Sequence, residues 1–181
     1  QSRHARVLCR RCKQNPGRRL RFAGQLMDAG RNLTGIGMDK LIPKTNDFPV
    51  PVTISGGTEV IANGYHNHSL TSSGSITATG NGSITCELLY WAGGGGGGHG
   101  VDGQDCGGGG GAGGFVHVGS VVISAGTITV SIGAGGAAQT SGGDTTVTGQ
   151  TTAVGGGRGG GSYAPVVDPA VGGSGGGNSS Y

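Results

Sequence analysis

Side chains able to fill a thick core are scarce in this chain. Hydrophobic residues make up 33% and aromatics 4% of the 181 residues, against an apolar share of about 45–50% in ordinary globular domains. Any core is therefore thin. The four cysteines, Cys9, Cys12, Cys86 and Cys106, are too few for a disulfide scaffold in a chain of this length. No apolar run of about 18 residues exists, so no helical membrane span is expected, and the first residues hold no stretch of signal-peptide character. Acidic residues are missing before Asp28, whereas eight of the twelve basic residues lie between Arg3 and Arg21. The net charge of +3 thus conceals a basic arm on a nearly neutral body. Such an arm docks on an acidic surface or stays solvated, and no motif in it specifies a nucleic acid.

What the chain has instead is glycine, 45 residues of it, where an ordinary share is roughly 7%. Of these, 34 lie between Gly93 and Gly177, clustered in Gly93 to Gly98, Gly107 to Gly111, Gly155 to Gly161 and Gly172 to Gly177. Glycine adds nothing to a core and loses the most conformational entropy on folding, so such a chain is ordered only if backbone hydrogen bonds or partner chains compensate. Flexible linkers would mix serine with glycine and would not recur four times in one module. The runs are therefore expected as extended helices of the polyproline II kind, three residues per turn, whose bare backbones approach closely and hydrogen-bond sideways.

The length favours one compact domain plus an arm. Residues 1–48 form a basic attachment arm with no amphipathic helix, and Pro43, Pro49 and Pro51 mark an extended connector. Residues 49–91 read as a small antiparallel sheet forming a stem or collar. Its strands are placed around Val50, Val52 and Ile54, over Thr58 to Ile61, Ser69 to Thr79 and Ser83 to Tyr90. Gly56-Gly57, Ser72-Ser73-Gly74 and Gly80-Asn81-Gly82 supply the turns. Residues 92–181 are a glycine-rich distal module in which strands at Phe115 to Ile123, Thr127 to Ile132 and Asp144 to Thr152 stand between the glycine runs. The expected fold class is all-β, an antiparallel sheet followed by polyglycine segments, with an extended N-terminal arm.

Constellations with chemical potential are few. Cys9-Arg10-Arg11-Cys12 has the spacing of half a zinc ribbon, but the other half is missing. His66 and His68, two apart in a strand, project from one face and could hold a metal or form a pH-sensitive patch; a solvated strand face explains them equally. His99, Asp102 and Asp105 lie in one loop with no hydroxyl or thiol nucleophile set by an elbow beside them, so no catalysis is expected. Phosphate cradling needs a helix after the glycines, and none follows. No cofactor is expected.

The order Leu70 to Ile76, then Ile84 to Ala92 running into Gly93 to Gly98, then Gly107 to Phe115, resembles the glycine-rich domain of bacteriophage tail-fibre and virion appendage proteins. Ser124 to Gly136, Gly142 to Val147 and Gly155 to Gly161 continue the likeness, which covers roughly residues 52–177. The resemblance implies a virion structural protein, a tail-fibre or adhesin subunit acting by assembly and host-surface contact. Homotrimers would be expected, with residues 1–48 bound to other virion proteins and His99, Asp102, Asp105, Arg158 and Tyr163 offered to a cell-surface receptor. A capsid decoration or head-fibre protein is the alternative within this class. From another class comes a non-viral fibrous or ice-binding protein, hinted at by the threonines between Thr145 and Thr152.

Overall fold

The computed structural model describes residues 5–7, 51–100, 106–162 and 168–179, the first three as backbone only. The Cys9–Cys12 pair, Asp102, Asp105, Tyr163 and most of the basic arm lie outside them. The described residues are all-β and contain no helix.

Among the described residues, seven strands form two sheets. β1 (Ala5–Val7), β3 (Thr58–Ala62) and β4 (Tyr65–Leu70) make a three-stranded antiparallel sheet in the order β1-β4-β3; β2 (Thr53–Ser55), β5 (Gly74–Trp91), β6 (Phe115–Ser131) and β7 (Thr146–Val147) make a second in the order β2-β5-β6-β7. The β3–β4 hairpin closes through Asn63 and Gly64, whose φ values of 53° and 77° are both positive, as the tightest two-residue hairpin turn requires.

The strand boundaries differ from the sequence reading in an instructive way. Gly80-Asn81-Gly82 does not reverse the chain. β5 runs on through it, and residues 79–82 bulge between the pairs Ala78↔Gly126 and Ser83↔Ser124. A second irregularity sets Gly119 and Ser120 opposite Glu87 alone, between Cys86↔Val121 and Leu88↔Val118. Extra residues in one strand kink and twist a ladder without ending it. The two strands expected at 115–123 and 127–132 are accordingly one, β6, carried through Ala125 and Gly126 by its pairing with β5. Of the strand expected over 144–152, only Thr146–Val147 and the bridge Thr145↔Ala153 form.

The core lies on one face of the β5–β6 hairpin. Leu70, Ile76, Leu88, Tyr90, Val130, Val147 and Ala153 make one buried cluster, with Ala78, Cys86 and Ile123 beside it. The alternation of these residues with Ser75, Thr77, Thr85 and Glu87 is the period-two pattern of a half-buried strand. Tyr90 is fully buried, and its hydroxyl donates to the Thr151 carbonyl, which satisfies the one polar atom on the largest core side chain.

Beyond Trp91 the chain leaves the sheet and builds a bundle of glycine runs. Gly95 and Gly98 of the run 92–99 donate to the carbonyls of Gly111 and Gly108 at 2.8 and 2.7 Å, following Ala92 to Gly114 at 2.9 Å. The run 153–162 donates back to the first at Gly156→Gly93, Gly159→Gly96 and Ser162→His99. It also accepts from the run 106–114 at Gly108→Gly160, Gly111→Gly157 and Gly114→Val154. Every ladder advances three residues at a time, the period of a polyproline II helix. The expectation of packed polyglycine helices is met. The order of partners makes the run 92–99 parallel to 153–162 and antiparallel to 106–114. Residues 133–143 flank it through Gly93→Gly143, Gly96→Thr140, Gly136→Gly94 and Gln139→Gly97, and 168–178 flanks the far side through Gly157→Ser174 and Gly160→Gly177.

Glycine is required here by space. A methyl group at Gly93, Gly95, Gly96 or Gly98 would overlap the carbonyl of Ala134, Gly157, Ala137 or Gly160 respectively. Backbones meet where side chains would otherwise stand.

Candidate functional site at the tip of the glycine bundle

The bundle has two different ends. At one, Ala92, Gly114, Gly133 and Ala153 adjoin β5, β6 and β7. A buried threonine locks this junction: the Thr145 hydroxyl, at 0% exposure, donates to the Trp91 carbonyl at 2.8 Å and accepts from Gly133 N–H at 2.9 Å. Beside it the Asp144 carboxylate accepts from Gly155 N–H at 2.8 Å. Both residues act as pins between runs, so Thr145 does not contribute to an exposed threonine array.

At the opposite end the parallel runs 92–99 and 153–162 terminate together, joined by Ser162 N–H donating to the His99 carbonyl at 3.1 Å. Gln139, with a φ of 60°, turns the chain at the same level and donates its N–H to Gly97 at 2.8 Å. The runs 92–99 and 153–162 therefore reach the same end of the bundle. Of the residues expected at a receptor surface, His99 stands exposed there, and Asp102, Asp105 and Tyr163 lie outside the described residues. Among the described residues, the buried Ser162 hydroxyl at this end has no hydrogen-bond partner.

Arg158 is placed elsewhere. It precedes Ser162 by four residues, roughly 12 Å at about 3.1 Å per residue, and it is half-buried along the side of the bundle. Its Nε donates to the Asp168 carbonyl at 3.0 Å and its own carbonyl accepts from Ala170 N–H at 3.0 Å. The only Lys or Arg after Lys44 thus ties down the last glycine run.

The histidine pair occupies the small sheet. Glu59 faces His68 across β3 and β4, and its carboxylate lies 2.6 Å from His66 Nδ1 and 3.7 Å from His68 Nε2. His68, 2% exposed, has Nδ1 3.0 Å from the Gly56 carbonyl; a carbonyl only accepts, which places the proton on Nδ1. The hydrogen bond from His66 holds the Glu59 carboxyl below its usual range, aided by the charges of both histidines and opposed by desolvation. The sequence placed the two histidines on one face but gave no sign of Glu59, whose position depends on strand register. Among the described residues, no group of three or more His, Cys, Asp and Glu is arranged to hold a metal, and no helix is long and apolar enough to cross a membrane.

A family model described as a glycine-rich domain matches residues 70–181. No curated protein matches the chain, and no solved structure does.

Proposed function

The chain belongs to the glycine-rich domain family, and from that premise we infer that it is a non-enzymatic structural and adhesive module of a virion appendage, a tail-fibre or adhesin subunit. The observation that carries this reading is the laterally hydrogen-bonded bundle whose parallel runs 92–99 and 153–162 end together. Hydrogen-bonded polyglycine helices give stiffness without a core, because each run is held by backbone groups of its neighbours. A stiff rod that presents loops at one end suits contact with a surface better than turnover. Loops on a rigid scaffold are where binding residues concentrate. His99 stands at that tip, Asp102, Asp105 and Tyr163 are the further receptor contacts of this reading because they follow His99 and Ser162 closely in sequence, and residues 1–48 are its attachment to neighbouring virion proteins. A capsid decoration protein would use the same parts, with its basic arm on an acidic shell.

The test is binding of the fluorescently labelled full chain to a panel of bacterial cells and their isolated surface glycans, beside a variant whose residues 101–105 are replaced by Gly-Ser-Gly-Ser-Gly. Saturable binding to some cells and its loss in the variant are expected. Binding to none of the surfaces, or undiminished binding by the variant, would refute the reading.

A second reading has one observation in its favour. Thr53, Ser55, Thr77, Thr79, Thr127, Thr129 and Thr148 share an outward side of the larger sheet, with Thr53 and Thr79, and Thr77 and Thr127, each 3.5 Å apart. A flat array of hydroxyl groups suits an ordered water surface, so inhibition of ice growth is the competing assay.

A further inference from the structure

We propose that the outer edge of β6 between Phe115 and Ile128 is the docking surface for a second copy of this chain, strand against strand. The proposal rests on the reading of the protein as an assembling structural module and names the surface that assembly uses.

The edge itself is the first observation. On its inner side β6 pairs with β5 from Phe115 to Val130, whereas on its outer side β7 reaches only Val130 and Ser131, with Thr129 tied to Thr148 next to them. No other described strand pairs along 115–128. At about 3.3 Å per residue this leaves on the order of 45 Å of open ladder.

The second observation is its chemistry. Exposed edges are normally blunted by lysine, proline, inward-pointing charge or shortness. β6 is long and contains no Lys, Arg, Asp, Glu or Pro, and its one titratable side chain, His117, is engaged 2.6 Å from Glu87 of the same chain. A charged partner would find no counter-charge here. Another copy brings the same neutral run of valine, isoleucine and threonine, so the surface is complementary to itself in charge.

The third observation is that β6 leaves apolar side chains uncovered on both faces, Phe115 and Val122 standing among His117, Ser124 and Thr127 on the outward one. Phe115 and Val122 are 52% and 66% exposed, while Val116, Val118, Val121 and Ile128 are only partly buried against the core. Trp91 extends the exposed patch, its ring centroid 5.0 Å from that of Phe115. Strand pairing by a second copy would satisfy the open backbone groups and cover these side chains together.

The experiment is light scattering on the full chain at tens of micromolar, with hydrogen exchange resolved to single amides over 115–128. The wild type is expected to be oligomeric, with both inward- and outward-facing amides of β6 protected. Val122→Lys should bring the mass down to that of the 17.6 kDa chain, whereas Val171→Lys, at a site 92% exposed on the last glycine run, should not. A monomeric wild type, an unchanged mass for Val122→Lys, or protection of alternate amides only would overturn the proposal. Should Val122→Lys fail to fold, the exchange pattern of the wild type decides by itself. Assembly without cell binding would sink the adhesive reading and leave this one standing, and cell binding by a monomer would do the reverse.

Discussion

Replacing Gly96 with alanine tests the central physical claim, that the bundle exists because bare backbones touch. Gly96 donates to the Thr140 carbonyl at 2.8 Å and accepts from Gly159 N–H at 2.9 Å, and a methyl there would overlap the Ala137 carbonyl. The obstacle is backbone, which cannot swing aside as a flexible side chain can. Overpacking costs about 1–3 kcal/mol, and a displaced neighbour weakens up to two hydrogen bonds at about 1 kcal/mol each. Alanine recovers about 0.4–1 kcal/mol by restricting the unfolded chain. The net expectation is a loss of about 1–4 kcal/mol. In a chain of this size that lowers the melting temperature by roughly 2–4 °C per kcal/mol. Gly109 is the control, since a methyl there meets nothing within 4 Å; Gly109→Ala should be neutral or slightly stabilising. Thermal and denaturant unfolding of both variants, followed by circular dichroism, gives the comparison. Equal stability of Gly96→Ala and Gly109→Ala would refute the close-packed bundle.

Other perturbations probe the pins and the small sheet. Thr145→Val keeps the shape but orphans the Trp91 carbonyl and the Gly133 N–H in a buried site, and should cost about 2–6 kcal/mol at roughly 1–3 per unsatisfied group, whereas Thr145→Ser should cost less; urea unfolding compares them. Tyr90→Phe removes the hydroxyl bond to Thr151 and should cost about 1–2 kcal/mol. Burial raises the Tyr90 hydroxyl above its usual 10.0, so its contribution is complete below that value and is lost as the pH rises through the raised one; the alkaline decline in stability should be shallower in the phenylalanine variant. The Glu59 carboxyl is depressed below 4.5 by the hydrogen bond from His66. Its stabilising contribution is therefore present above that pH and lost as the pH falls through the lowered value. A carboxyl titration by NMR should show Glu59 protonating late in the wild type and near the ordinary range in His66→Ala; an unchanged midpoint would remove the pair from consideration.

Much of the strand content was legible because β-branched residues alternate with small polar ones along β5 and β6. The strand expected over Ser69 to Thr79 is divided by a bend at 71–73 between β4 and β5, and other errors fell where glycine stood inside a strand. Gly80-Asn81-Gly82 and Ala125-Gly126 have turn chemistry locally, and a turn is what they form when no neighbour holds them. Pairing across β5 and β6 holds both, and converts the first into a bulge. The histidine face was visible from its spacing of two, but its carboxylate partner was not, because Glu59 reaches His66 and His68 only through the register that the Asn63-Gly64 turn imposes. Arg158 carries a contact that the sequence did not show: the 168–178 run passes it, and its Nε donates to the Asp168 carbonyl.

The sequence by itself determined that this protein is all-β, that its core is thin, and that its glycine runs must be ordered through backbone hydrogen bonds, since they have no side chains with which to pack. Tertiary structure alone decided which run lies beside which, in what direction, and which runs end together. The physical reason is that polyglycine carries no side-chain pattern. Its amides and carbonyls are chemically alike at every position, so neighbours are selected by where the β5–β6 hairpin and pins such as Thr145 and Asp144 deliver the chain into the bundle.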